Sequence, residues 1–174
     1  MKNTLLLILL FSISVGPTFS QSKSEKKKLK QEKAAQEFEE TKTRIDSQTY
    51  SFVATWANTQ KGRRINLTTN PNYLKIDQQK ADIYLPYYGE VHMASSGLND
   101  EGGIVFKGEI ENYKVKYNDK KRTTVISFSA AGKSDKFDFT LTVFKSGGSN
   151  LVVYSNIRSS INYDGELRNL TIDK

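Results

Sequence analysis

One histidine, a handful of carboxylates and a run of tyrosines hold most of the chemistry this sequence could perform. His92 is the only imidazole and there is no cysteine. Disulfides, thiolate metal sites and cysteine nucleophiles are therefore excluded. A single histidine also excludes a multi-histidine zinc site within one chain. As a general base, His92 would need a nucleophile beside it, and Ser95 and Ser96 stand nearest in sequence. Neither lies in the Gly-x-Ser-x-Gly turn that presents a reactive serine. Paired carboxylates could cleave a glycosidic bond, and Asp82, Glu90, Asp100 and Glu101 are the candidates. They would have to face each other across a cleft, roughly 5–9.5 Å apart. Asn99 to Gly103 carries oxygen ligands but not the spacing of a calcium loop. The sequence thus assigns no catalytic residue, no metal ligand and no cofactor.

Binding is the better use of these residues. Tyr84, Tyr87 and Tyr88 cluster around Pro86, with His92 just downstream. A tyrosine offers an apolar ring and a polar tip, which suits a ligand with both kinds of surface. Arg158, followed by Ile161 and Tyr163, could hold an anionic group. Tyr84, Tyr87, Tyr88, His92 and Arg158 are therefore the candidate ligand-binding residues. The same tyrosines also suit core and rim packing at a strand end.

The motif Tyr84-Leu85-Pro86-Tyr87-Tyr88-Gly89, followed by Gly102-Gly103-Ile104-x-Phe106, resembles the signature of a family of secreted bacteroidete proteins, domain of unknown function 4251. The resemblance continues through Phe52-Val53-Ala54, Ile65-Asn66-Leu67-Thr68 and Phe139-x-Leu141-x-Val143. It ends in Ser155-Asn156-x-Arg158-x-x-Ile161-x-Tyr163-x-Gly165, so it spans Asp46 to Leu167. It departs at Glu90-Val91, where the family pattern has Arg-Ala. It implies an exported protein and assigns no activity.

The elements that position these residues follow from periodicity. Lys2 and the apolar run Leu5 to Val15 read as a secretory signal, cleaved after Ser20. That run is too short to span a bilayer, which takes roughly 20 residues. The domain plan is a signal at 1–20, a charged tether and helix at 21–45, and a single β domain at 46–174. Ser22 to Lys33 is nearly all charged and reads as a solvated tether; the alternative is contact with an anionic envelope surface. From Ala34, the series Ala34, Phe38, Thr41, Ile45 recurs at helical steps.

From Tyr50 the period becomes two. Tyr50, Phe52, Ala54 and Trp56 should face inward. Strands are expected at Arg64–Thr69, Tyr73–Ile76, Ile83–Leu85, Ile104–Phe106 and around Tyr113, Ile126, Phe137 and Leu151. Pro86 should end its strand, because proline cannot donate to a ladder. Asp164-Gly165 reads as a hairpin turn. Closely spaced strands with polar turns and no helices between them predict a mainly β fold: an antiparallel meander curled into a barrel or a sandwich, with one N-terminal helix.

The net charge is +7, but segment 22–45 contributes +3 and residues 46–174 another +3. The β domain is only mildly basic, with its charges interleaved, so nucleic acid is not an expected partner. The sequence predicts an exported, periplasmic or extracellular monomer. It would act as a non-catalytic binding or interaction module of the cell envelope, for an unidentified envelope ligand or protein. The alternatives are a glycan hydrolase working through paired carboxylates and a structural protein tethered to the envelope by its basic helix.

Overall fold

The computed structural model describes residues 23–92, 103–132 and 135–170. The expected signal segment, Ser95, Ser96, Asp100 and Glu101 lie outside these residues.

Helix α1 (Lys23–Asp46) is followed by β1 (Thr49–Thr59), β2 (Arg64–Asn66), β3 (Tyr73–Asp77), β4 (Lys80–Pro86) and β5 (Gly103–Glu109). The second half consists of β6 (Glu111–Asn118), β7 (Thr123–Ala131), β8 (Lys136–Phe144), β9 (Gly148–Ser155) and β10 (Ile161–Asn169). All pairings are antiparallel, in the order β5-β4-β3-β1-β10-β9-β8-β7-β6, with β2 pairing β1 off this path. The two edge strands, β5 and β6, are consecutive in the chain and joined through Ile110 alone. The sheet must therefore curl until its edges meet at one corner. It is a nearly closed barrel, and a sandwich is ruled out.

The barrel interior is filled from alternate strand positions. Tyr50, Phe52, Leu74, Ile76, Ile83, Leu85, Ile126, Phe139, Leu141, Leu151 and Tyr163 are all buried. The two buried tyrosines keep hydrogen-bond partners, as buried hydroxyls require. Tyr50 meets the Tyr113 hydroxyl at 3.1 Å, and Tyr163 donates to Pro86 O at 2.7 Å. As expected, β4 ends at Pro86, where it pairs with Gly103.

Two expectations fail at one place. The β1–β10 register shifts between Ala54 and Trp56, a bulge that reverses the alternation beyond it. Ala57 becomes the buried residue, and Trp56 lies half-buried on the outer wall, with the Arg64 guanidinium 4.5 Å from its ring centre. Opposite the bulge stands Gly165, inside β10 and not in a turn. A Cβ there would lie 2.1 Å from Val53 O and 2.8 Å from Ala54 Cα, so this glycine is set by close backbone approach. Between the stretches of β1 that pair β3 and β2, the buried Asn72 side chain takes a strand's place. It accepts from Ala54 N at 2.7 Å and donates to Ala54 O at 3.1 Å.

The helix covers one end of the barrel. Ala34, Phe38, Thr41 and Ile45 are its buried residues, the series read from the sequence. The Thr41 hydroxyl lies 3.1 Å from Lys145 O in the β8–β9 turn. Lys42 reaches Asp119 in the β6–β7 turn at 2.6 Å, and Arg44 donates to Leu167 O at 3.4 Å. The expected tether is not a separate coil. The helix begins at Lys23 instead of Ala34, and Lys23 to Lys33 are all exposed. Lys, Glu, Gln, Leu and Ala are good helix formers, and the docked half supplies the costly nucleus. No helix among the described residues is long and apolar enough to cross a membrane.

Candidate functional site

At the end of the barrel opposite the helix, the chain leaving β4 is stitched to the chain entering β10. Ser159 N donates to Glu90 O at 2.9 Å and His92 N to Ile157 O at 2.8 Å, flanking an isolated bridge between Val91 and Arg158. The Tyr87 hydroxyl sits 2.8 Å from Ser159 O and 2.9 Å from Glu90 O and donates to one of them at a time. Its ring leaves no room for a side chain at position 89: a Cβ on Gly89 would stand 2.3 Å from the hydroxyl. Burial pushes the Tyr87 hydroxyl's pKa up, against the opposing pull of the Arg158 charge and the Ser159 hydrogen bond.

Arg158 is held from several sides. Its Nη1 donates to Gly103 O at 2.9 Å, and its guanidinium lies 5.3 Å from the Tyr87 ring centre and 5.9 Å from that of Phe137. Its Nε stands 3.4 Å from Asp135 Oδ2, which also accepts from the Ser155 hydroxyl at 2.7 Å. The Arg158 side chain is 9% exposed and that of Asp135 3%. Tyr87 and Arg158 are thus a structural knot that closes this end of the wall, each tied across it to a backbone carbonyl.

Beside the knot is a groove of about 480 Å³. One bank is the β1–β2 turn, with Thr59, Gln60, Lys61 and Arg63; the other is Tyr88, Gly89 and Glu90, with Ser159. Lys61 and Glu90 meet at 2.5 Å between the banks, both well exposed. That hydrogen bond and the lysine's charge hold the Glu90 carboxyl below its usual pKa. The turn is set by Gly62, whose φ of +80° is a conformation that favours glycine, with Gly62 N bonded to Thr59 O. A second recess of about 470 Å³, lined by Gln48, Asp77, Gln78, Gln79, Lys80 and Glu109, has no aromatic wall.

The five candidates therefore divide. Tyr88 lines the groove, while Tyr87, Arg158 and His92 build the wall beside it. Tyr84 lies elsewhere, on the outer wall against Tyr73, with ring centres 6.1 Å apart. Position 84 alternates with the inward Ile83 and Leu85, so its ring must point out. His92 pairs through Nε2 with the Ser159 hydroxyl at 3.0 Å, a serine the sequence reading did not single out. Among the described residues no carboxylate bonds its Nδ1. The carboxylates separate too. Asp82 pairs with Lys107 at 3.3 Å and does not line the groove that contains Glu90. No group of three or more His, Asp or Glu suited to a metal occurs among the described residues.

The family model for the domain of unknown function DUF4251 matches residues 32–167. The chain belongs to the DUF4251 family. It is similar in fold to the crystal structure of a DUF4251 family protein from Bacteroides eggerthii DSM 20697, at 18% identity and a TM-score of 0.61. The similarity covers 78% of this chain and 89% of that one. No curated protein matches. In this DUF4251 protein the Tyr-Leu-Pro-Tyr-Tyr-Gly motif has a physical reading. Leu85 fills the barrel, Pro86 ends the strand and binds the Tyr163 hydroxyl, Tyr87 packs over Gly89, and Tyr88 lines the groove. Thr59, Gln60, Lys61, Arg63 and Ser159 were missed by sequence reasoning. Nothing local to the β1–β2 turn places it beside Tyr88.

Proposed function

We propose that this DUF4251 protein is a non-catalytic binding module, acting after export to the cell envelope, with the groove beside Tyr88 as its ligand seat. The observation that carries the reading is the groove itself. Its volume of about 480 Å³ falls in the range of small-molecule sites. An aromatic ring stands on one bank, and hydroxyl, amide and charged groups line both. A ligand with a flat apolar face and several hydroxyls, such as a sugar unit, fits this mixture: the ring stacks and the polar groups orient. The hydrolase alternative loses one of its carboxylate pairs, Asp82 with Glu90, while Asp100 and Glu101 lie outside the described residues.

The test is a titration of neutral oligosaccharides, fatty acids and short peptides against the isotope-labelled full chain, followed by amide NMR. A ligand of this seat should shift the amides of residues 59–63, 88–90 and 159. Tyr88→Ala should weaken that ligand about tenfold, the size of one lost aromatic contact, with the fold retained. Shifts confined to other surfaces, or full affinity in Tyr88→Ala, would refute the assignment.

A further inference from the structure

The face of α1 that packs on the barrel does not stop where the barrel stops. Ile45, Thr41, Phe38 and Ala34 form the buried line. The same three- and four-residue steps continue through Lys30, Lys27 and Lys23, and Lys26 and Lys33 lie about a quarter turn to one side of that line. A face that is apolar over the barrel becomes a lysine stripe beyond it. The stripe is about 16 Å long at 1.5 Å per residue. Glu25, Glu32 and Lys28 fall on the other side of the helix, where Lys28 lies 4.0 Å from Glu32. Lys23 to Lys33 carry six lysines against two glutamates, a net +4 on turns that are exposed throughout.

We propose that this stripe docks the protein on an anionic lipid bilayer, reading headgroup charge without inserting. Two observations select a bilayer. Leu29, 52% exposed beside Lys26 and Lys33, is the one large apolar residue between Lys23 and Lys33, too little for the clustered anchors of a shaped protein partner. Its charge is spread along a line and not gathered in a pocket, which suits a fluid array of headgroups. The stripe would leave the groove at the opposite end of the barrel open to its ligand. The inference does not depend on that groove.

The experiment is co-sedimentation of the full chain with phosphatidylcholine vesicles, with and without phosphatidylglycerol, at low and high salt. The apolar run can add binding that ignores both variables. The stripe should add a component of at least about tenfold that needs phosphatidylglycerol and fades with salt. Replacing Lys23, Lys26, Lys27, Lys30 and Lys33 together by Gln should abolish that component, whereas Arg at all five should keep it. Gln preserves helix propensity, and circular dichroism confirms that the helix remains. Equal sedimentation of the wild-type and Gln chains on phosphatidylglycerol vesicles would overturn the proposal. So would capture by soluble dextran sulfate without capture by vesicles, which would make the partner a polyanion.

Discussion

Arg158 and Asp135 illustrate how far a single side chain's role depends on its surroundings. The pair is almost sealed from water, and neither Asp135 Oδ1 nor Arg158 Nε has a hydrogen-bond partner among the described residues. Two charges in that position hold each other in place more than they stabilise the fold. Removing one leaves the other buried without its counter-charge, at about 3–5 kcal/mol; removing both for apolar groups of similar size is far milder. Arg158→Met should therefore lower the unfolding free energy by about 3–5 kcal/mol, and Arg158→Met with Asp135→Leu should recover most of it. Urea titration of the three chains measures both numbers. A silent Arg158→Met would return Arg158 to the list of ligand contacts. From the sequence, an arginine near a tyrosine is ambiguous between these roles. The ambiguity ends only when the fold brings Asp135, Tyr87 and Gly103 around it.

At the scale of elements, the helix is two structures in one continuous backbone. From Ala34 onward it is held by Phe38 and Ile45; before that every residue from Lys23 is exposed. Short helices are marginal in water without such contacts. Hydrogen exchange should show protected amides after Ala34 and fast exchange from Lys23 to Lys33. Phe38→Ala, worth about 3–5 kcal/mol for a buried ring, should remove protection from the whole helix while the barrel amides stay protected. The strands and the docking face were legible because period and burial agree along them. The free half of the helix was not, since solvated lysines carry no periodic apolar signal in either coil or helix. The failures at Trp56 and Gly165 share one cause. A bulge adds a residue without marking the sequence, and Asp-Gly at position 164 reads as a turn until the opposite strand shows why only glycine fits. The groove was half legible: Tyr88 was flagged, but its far bank comes from a turn more than twenty residues earlier in the chain.

For the whole molecule, closing a sheet around aromatic residues places ionisable hydroxyls inside an apolar barrel. Tyr50 and Tyr163 have no exposed surface. Burial raises the pKa of Tyr50, reinforced by Tyr113, and burial likewise raises that of Tyr163, reinforced by Tyr87 and Tyr88. The phenol is the neutral form, so a raised pKa means the folded state keeps a proton that the unfolded state releases. That contribution to stability is complete below pH about 10, the ordinary tyrosine value, and is lost as pH climbs from there toward the folded-state pKa values. Each buried tyrosine should add about 1.4 kcal/mol of lost stability per pH unit in that window. Urea midpoints measured from pH 9 upward should therefore fall steeply once past pH 10. Tyr50→Phe should remove one tyrosine's share of the slope, and Tyr50→Phe with Tyr163→Phe should remove both. Lysine deprotonation contributes equally in all three chains, so the difference between slopes isolates the buried hydroxyls. An unchanged slope in the double variant would mean that water reaches these hydroxyls before the barrel opens, and that the wall is less closed than its strand order implies.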